Sequence, residues 1–146
     1  MPTILALEDD EDRAAAMKRV LAERFHQFKH VFFDNAPETI GWLRENLKET
    51  ALICLDHDLG PNQYHGDEVF DPGTGRDVVD YLATKPPRCP VIVHTTNSWA
   101  APGMEMALAE MGWKCSRVIP SADLKWIRTA WVRKLNKFTS AKRSVE

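Results

Sequence analysis

Five short apolar runs alternate with five stretches of helical periodicity along this chain, and few folds accommodate that order. The runs at residues 3–7, 28–33, 52–55, 90–93 and 116–119 are too short for helices and read as strands. Ala14, Met17, Leu21 and Phe25 recur at three- and four-residue intervals, as do Ala36, Ile40, Leu43 and Leu47, with Pro37 suited to a first helical turn. Val78, Val79 and Leu82 stripe a third helix that Pro86 and Pro87 end, and Met104, Ala107, Leu108 and Met111 stripe a fourth that stops at Gly112. The last helix carries Leu124, Ile127, Trp131 and Leu135, with Ser121 as its predicted N-cap. Such alternation predicts an α/β domain with a five-stranded parallel sheet, right-handed crossovers and helices on both faces.

A chain of 146 residues can bury a substantial core as one domain, and the periodic segments place that domain at 1–138 with a short polar tail at 139–146. Cys54, Cys89 and Cys115 show no close spacing, so neither a disulfide framework nor a zinc knuckle is indicated, and a reducing cytoplasm is the expected location. No apolar run approaches the ~20 residues of a membrane span. Charge is unevenly placed: residues 1–72 carry 15 acidic against 7 basic side chains, while residues 73–146 carry 6 against 12. The acidic half is suited to a cation; the basic half reads first as a solvated surface.

Three of the predicted strands empty into polar clusters. The first runs into Glu8, Asp9 and Asp10, the third into Asp56, His57 and Asp58, and the fourth into His94, Thr95, Thr96 and Asn97. All three clusters fall at the carboxyl ends of the strands, where open α/β sheets bind ligands. Asp56 and Asp58 would leave the same face of an extended segment and repel each other unless a cation or a shared proton intervenes, with His57 on the opposite face. Hard divalent ions such as Mg²⁺ or Mn²⁺ favour a few carboxylates, so Asp9 or Asp10 with Asp56 and Asp58 is the expected metal set. His94 could exchange a proton with an anionic oxygen that Thr95 and Asn97 hold. Residues 60–75, rich in glycine and proline, read as a long loop in which His65, Asp67 and Asp71 are solvated; Trp99 is the one tryptophan placed to stack on a substrate.

In the order and spacing of these motifs the chain resembles response-regulator receiver domains. Asp9-Asp10 looks like their metal-holding pair, Asp56 in LDHDLG like their phosphoacceptor, and Thr95 in PVIVHTTN like their switch hydroxyl; residues 77–82 after TGR look like the helix that follows their Gly-containing loop. Two departures stand out: Ile119 precedes Pro120 where receivers carry a lysine, and the 60–75 insertion is foreign to them. LDHDLG, TGRDVVDYL and HTTN followed by Gly103-Met104 are similar to a narrower group, the cyclic-phosphate-processing receiver-like family. That resemblance implies a three-layer, flavodoxin-like sandwich of strand order 2-1-3-4-5. It also implies a metal-dependent phosphoesterase site on Asp56 and Asp58, with His94 and Asn97 in place of the receiver's switch and lysine. The expected substrate is a phosphate-bearing small molecule or an RNA end closed as a cyclic phosphate. A divalent ion on Asp10, Asp56 and Asp58 would activate water while His94 protonates the leaving oxygen; alternatively Asp56 attacks directly. A phospho-accepting or degenerate receiver that signals through a protein partner is the competing expectation.

Overall fold

The computed structural model describes the backbone of residues 1–145 and the side chains of residues 1–140. Five parallel strands form the central sheet: β1 (Thr3–Leu7), β2 (Lys29–Phe33), β3 (Thr50–Leu55), β6 (Val91–His94) and β7 (Cys115–Val118), in the spatial order β2-β1-β3-β6-β7. Numbered among themselves, these strands lie 2-1-3-4-5, as expected. The helices are α1 (Glu11–Arg24), α2 (Ala36–Asn46), α3 (Gly75–Leu82), α4 (Ala100–Glu110) and α5 (Val132–Val145), the last preceded by a π-helical turn at Ile127–Trp131. Most of the tail expected at 139–146 falls on side chains outside the described residues. No described helix is long and apolar enough to cross a membrane, and no disulfide joins Cys54, Cys89 and Cys115.

Because β1 and β3 are covered on both faces, every residue in them is buried, and alternate residues feed two separate cores. Ile4, Ala6, Leu52, Cys54 and Ile92 face Met17 and Leu21 of α1 and the aromatic bulk of Trp131. Leu5, Leu7, Ile53, Leu55 and Val93 face Leu43 of α2, Val78 and Leu82 of α3, and Met104 of α4. Each fully buried aliphatic side chain contributes about 1.5–3 kcal/mol of transfer free energy, so these two layers carry most of the fold's stability. The chain winds from β1 to β2 on one side and returns to place β3 on the other. The crevice between β1 and β3 is therefore the topological switch point.

Side-chain caps fix the helix starts. Asp10 Oδ1 accepts the Arg13 N–H at 2.9 Å, Asn35 Oδ1 accepts the Glu38 N–H at 2.9 Å, and the Thr74 N–H donates to Asp77 Oδ2 at 3.0 Å. At the last helix the expected cap is displaced: Asp123 Oδ1 accepts the Lys125 N–H at 3.0 Å, and the Ser121 hydroxyl donates to that same carboxylate. A carboxylate is the stronger acceptor for an unpaired helix N–H, so Ser121 supports the cap rather than forming it. Leu124 and Met111, counted in apolar stripes, sit at the helix ends and are exposed.

The predicted loop at 60–75 holds a small antiparallel hairpin, β4 (Gln63–His65) with β5 (Glu68–Phe70). Its two-residue turn, Gly66-Asp67, has φ of 69° at Gly66, the backbone sign that glycine supplies without strain at the first position of a tight hairpin turn. His65 stacks diagonally on Phe70, and Gln63 Nε2 donates to the Asp34 carbonyl at 3.3 Å, tying the hairpin to the end of β2. Strands of three residues are too short to show a period, so composition alone reported a loop.

Gly75 opens α3 directly against the end of β3. Its N–H donates to the His57 carbonyl at 2.9 Å, and a Cβ there would fall inside the radius of the Asp56 carbonyl oxygen. Gly41, in the exposed middle of α2, meets nothing within 4 Å. Gly75→Ala should therefore destabilise the protein by at least about 1–3 kcal/mol, while Gly41→Ala should stabilise it by about 0.5–1 kcal/mol. Urea unfolding of the two variants measures both signs.

Candidate functional site

The alternation that separates the two cores also decides which polar residues meet. Ile4 and Ala6 precede Glu8 on one face of the sheet, Leu52 and Cys54 precede Asp56, and Ile92 precedes His94. The registers pair Leu7 with Leu55 and Leu55 with Val93, so one step further Glu8, Asp56 and His94 stand abreast on three neighbouring strands. The backbone keeps that order past the strand ends, since the Glu8 N–H donates to the Phe33 carbonyl at 2.9 Å and the Asp56 N–H to the Leu7 carbonyl at 3.1 Å. Glu8 and Asp56 are 3% and 4% exposed, and His94 is fully buried.

Oxygens of Glu8, Asp9 and Asp56 lie within 4.8 Å of one another, close enough to share one cation. Gly60 passes so near that a Cβ would sit 3.1 Å from Asp9 Oδ2, and its φ of 77° turns the chain away. Arg13 reaches over from α1, with Nε 3.5 Å from Glu8 Oε1 and a terminal nitrogen 3.8 Å from Asp56 Oδ2. Burial, then the neighbouring Glu8 charge, pushes the Asp56 carboxyl up from 3.8 to about 8, against the opposing pull of the His57 N–H (2.7 Å to Oδ1) and of Arg13. Burial also opposes ionisation of Glu8, but contact with His94, the Asp10 N–H at 3.0 Å and Arg13 outweigh it and hold Glu8 below its ordinary value. Asp9 is raised by burial and by Glu8. Without a cation, then, Glu8 is ionised and Asp56 keeps its proton near neutrality. A cavity of about 430 Å³ opens beside Glu8 and Asp9, bounded by Lys18, Phe32, Asp34 and Glu38.

The remaining residues of the polar edge fall elsewhere. Asp10 is occupied as the cap of α1 and does not join the carboxylate set. The strand ends at Leu55, so alternation stops before Asp58, whose side chain is 64% exposed, and His57 is not sent to the opposite face. Instead His57 Nδ1 lies 2.9 Å from Asp58 Oδ1, and Asn97 Nδ2 donates to both Asp58 oxygens at 3.3 and 3.2 Å. Asn97 Oδ1 accepts the Trp99 and Ala100 N–H groups, fixing the amide at the start of α4. Thr95 is buried; its Oγ1 accepts the Asn97 N–H at 3.1 Å, and its carbonyl accepts a bond from Arg117 at 3.2 Å. His94 Nε2 approaches Glu8 Oε1 at 3.2 Å, an ion-pair distance with angles outside hydrogen-bond geometry, and its ring stacks on Trp126 with centroids 5.8 Å apart. His65 and Asp71 stay within the hairpin region, where Asp71 Oδ1 accepts the Gly73 N–H, and Trp99 is solvent-exposed.

Glu8 is the residue that residue type alone undervalued. Its signal lay in strand parity: it continues the Ile4-Ala6 face, whereas Asp9 and Asp10 follow after the strand has ended. Arg13 carried no signal in the sequence beyond being a helix residue four positions after Asp9.

The raised Asp56 carboxyl fixes the sign of a pH effect. The folded protein holds a proton that the unfolded chain releases above its ordinary value of 3.8, so this group's cost is absent below that value, grows as pH rises and is fully present above about 8. Asp56→Asn should remove the cost. The metal-free variant should melt higher than the parent, with a difference that widens from pH 5 to pH 8; thermal melts without divalent ions measure it, at roughly 2–4 °C per kcal/mol.

Comparison with other proteins bears on the fold and the family. No curated protein matches the chain in sequence. The fold is similar to that of the phosphorylated cyanobacterial phytochrome response regulator RcpA, at 18% identity and a TM-score of 0.72 over 96% of this chain and 95% of that one. It is also similar to the Mn²⁺-bound form of response regulator Rcp1 (20% identity, TM-score 0.68, 94% of each chain) and to a receiver domain from Rhodospirillum rubrum (17% identity, TM-score 0.67, 95% and 94%). At these identities the likeness establishes the fold. Residues 4–110 match the family model described as the cyclic-phosphate processing receiver domain, and the chain belongs to that family.

Proposed function

We propose that the chain holds a divalent cation, Mg²⁺ or Mn²⁺, on Glu8, Asp9 and Asp56 and opens cyclic phosphate esters at that edge of the sheet. The observation that carries this reading is the row of three carboxylates at the switch point, Glu8 and Asp56 buried and Asp9 half-buried, with Asp9 and Asp56 raised in pKa by burial and by the neighbouring Glu8 charge. Three hard oxygen donors of this kind fit such ions, and a cation would relieve the repulsion that Arg13 only partly offsets. Bound there, the ion would polarise a phosphoryl oxygen and lower the pKa of a coordinated water.

The protein's own groups divide the remaining work. Arg13, with its side chain 24% exposed, can turn from Asp56 to the equatorial oxygens of an incoming phosphate and stabilise charge that accumulates there. His57 and Asp58 form the accessible proton-exchanging pair at the rim, steadied by Asn97, and protonate the leaving ribose oxygen. That role moves from His94 to His57 because His94 has no exposed surface; His94 acts through Glu8 as a positioning residue. Thr95 holds the backbone turn that presents Asn97. The 430 Å³ cavity beside Asp9 has room for the sugar or base of a nucleotide or RNA end. A phosphate-storing receiver, by contrast, would need a cation from the end of β7, where Ile119 is 65% exposed and Arg117 is bonded to Thr95.

With 2′,3′-cyclic nucleotides and Mn²⁺ or Mg²⁺, ring opening to a phosphomonoester should depend on the metal and fall at least ~100-fold in Asp56→Asn and Glu8→Gln. Arg13→Ala should lower kcat about tenfold or more while leaving the Mn²⁺-induced melting shift in place. A protein that binds Mn²⁺ yet turns over no cyclic phosphate, or whose activity survives Asp56→Asn, would overturn the proposal.

A further inference from the structure

The helices of a parallel α/β fold run against the strands, so the C-terminal ends of α2 and α3 lie at the sheet edge opposite the carboxylate row. Between them is a groove of about 620 Å³ lined by Arg44, Lys48, Lys85 and Arg88, with Tyr81 in its wall and Glu45 as its one acidic lining residue. All four cations are exposed, and no carboxylate among the described residues lies within ion-pair distance of any of them. The Arg44 guanidinium, from α2, and the Lys85 ammonium, from the segment after α3, approach the same Tyr81 ring at 5.9 and 5.6 Å, which brings two like charges together at one point. Helix dipoles favour a cation in a last turn, and that accounts for Arg44 at the end of α2 and for Lys48 in the short 3-10 turn, Leu47–Glu49, that follows it. It does not account for Lys85 and Arg88, which lie beyond α3 on a segment stiffened by Pro86 and Pro87 and face the same space. Past Arg88 a second groove of about 220 Å³ continues to the exposed Lys114, so the cations form a track rather than a single nest.

We propose that this track binds the sugar–phosphate backbone of single-stranded nucleic acid. Phosphates spaced along a strand suit cations spaced along two adjoining grooves, and counterion release supplies the affinity. Tyr81, covered by Arg44 and Lys85, positions those cations and is not offered as a base-stacking platform. The site stands apart from the carboxylate row and does not depend on the reaction proposed there.

Fluorescence anisotropy with a labelled single-stranded RNA of about 12 nucleotides tests it on the full chain. The parent should bind with an affinity that falls as salt rises, by ~0.7 in log–log slope for each phosphate neutralised. Lys85→Ala combined with Arg88→Ala should weaken binding at least ~10-fold and reduce the slope by about 1.4, while Lys134→Ala with Lys137→Ala on α5 should leave it unchanged. Circular dichroism checks that the variants remain folded. No binding at low salt, equal loss in the α5 variant, or a groove variant that binds like the parent would overturn the proposal. Displacement of the RNA by equimolar pyrophosphate or mononucleotide would overturn the backbone assignment in favour of a small phosphate ligand.

Discussion

Everything at the candidate site depends on two buried carboxylates held side by side at the ends of adjacent strands. Glu8 and Asp56 are locked there by backbone bonds that continue the ladder beyond β1 and β3, so neither can swing out to water without loosening the sheet. A packed parallel sheet offers no solvent to screen them. The protein answers in three ways visible in the structure: Asp56 keeps a proton, Arg13 leans in from the helix that covers that face, and the buried His94 ring stands 3.2 Å from Glu8 and favours its charge. None of the three neutralises the row completely. The residual demand for positive charge is what makes the row a candidate cation site on physical grounds.

That arrangement was legible in the sequence to a definite depth. Strand–helix alternation was enough for the sheet, the helix order and the edge where polar clusters collect, because period-2 and period-3.6 patterns survive averaging over a whole element. Asp9 and Asp56 were found by residue type. Asp10 and Asp58 were credited for the same reason, yet each is engaged elsewhere: Asp10 caps α1, and the Asp58 carboxylate meets His57 and Asn97. Choosing among five consecutive acids requires knowing which one continues the strand's face. That information sits in the parity of Ile4, Ala6 and Glu8 and not in the acids themselves.

What stayed hidden has a common cause. Arg13, the Asn97–Asp58 bonds and the stacking of His94 on Trp126 join residues between 5 and 43 positions apart whose approach is set by how helices dock and not by any local pattern. His94 illustrates the cost of reading position without depth. A histidine ending a strand at a ligand-binding edge could open to solvent or to the core; the same parity that places it beside Glu8 also turns its ring under α1 and the segment carrying Trp126, where no substrate reaches.

The uneven distribution of charge along the sequence acquires a direction once the chain is folded. Acidic side chains gather at the carboxyl ends of the strands, and unpaired cations gather where α2 and α3 end, so the molecule is polarised along its strands. In a sheet of this kind the two edges are separated by the length of a strand of five or six residues, about 17–20 Å, roughly two Debye lengths at physiological ionic strength. The edges therefore titrate and recruit ligands nearly independently. A phosphate-bearing molecule meets repulsion at the carboxylate row until a divalent ion is present, and attraction at the opposite edge whether or not the ion is there. The metal dependence proposed at one end and the metal independence proposed at the other rest on the same folded distribution of charge.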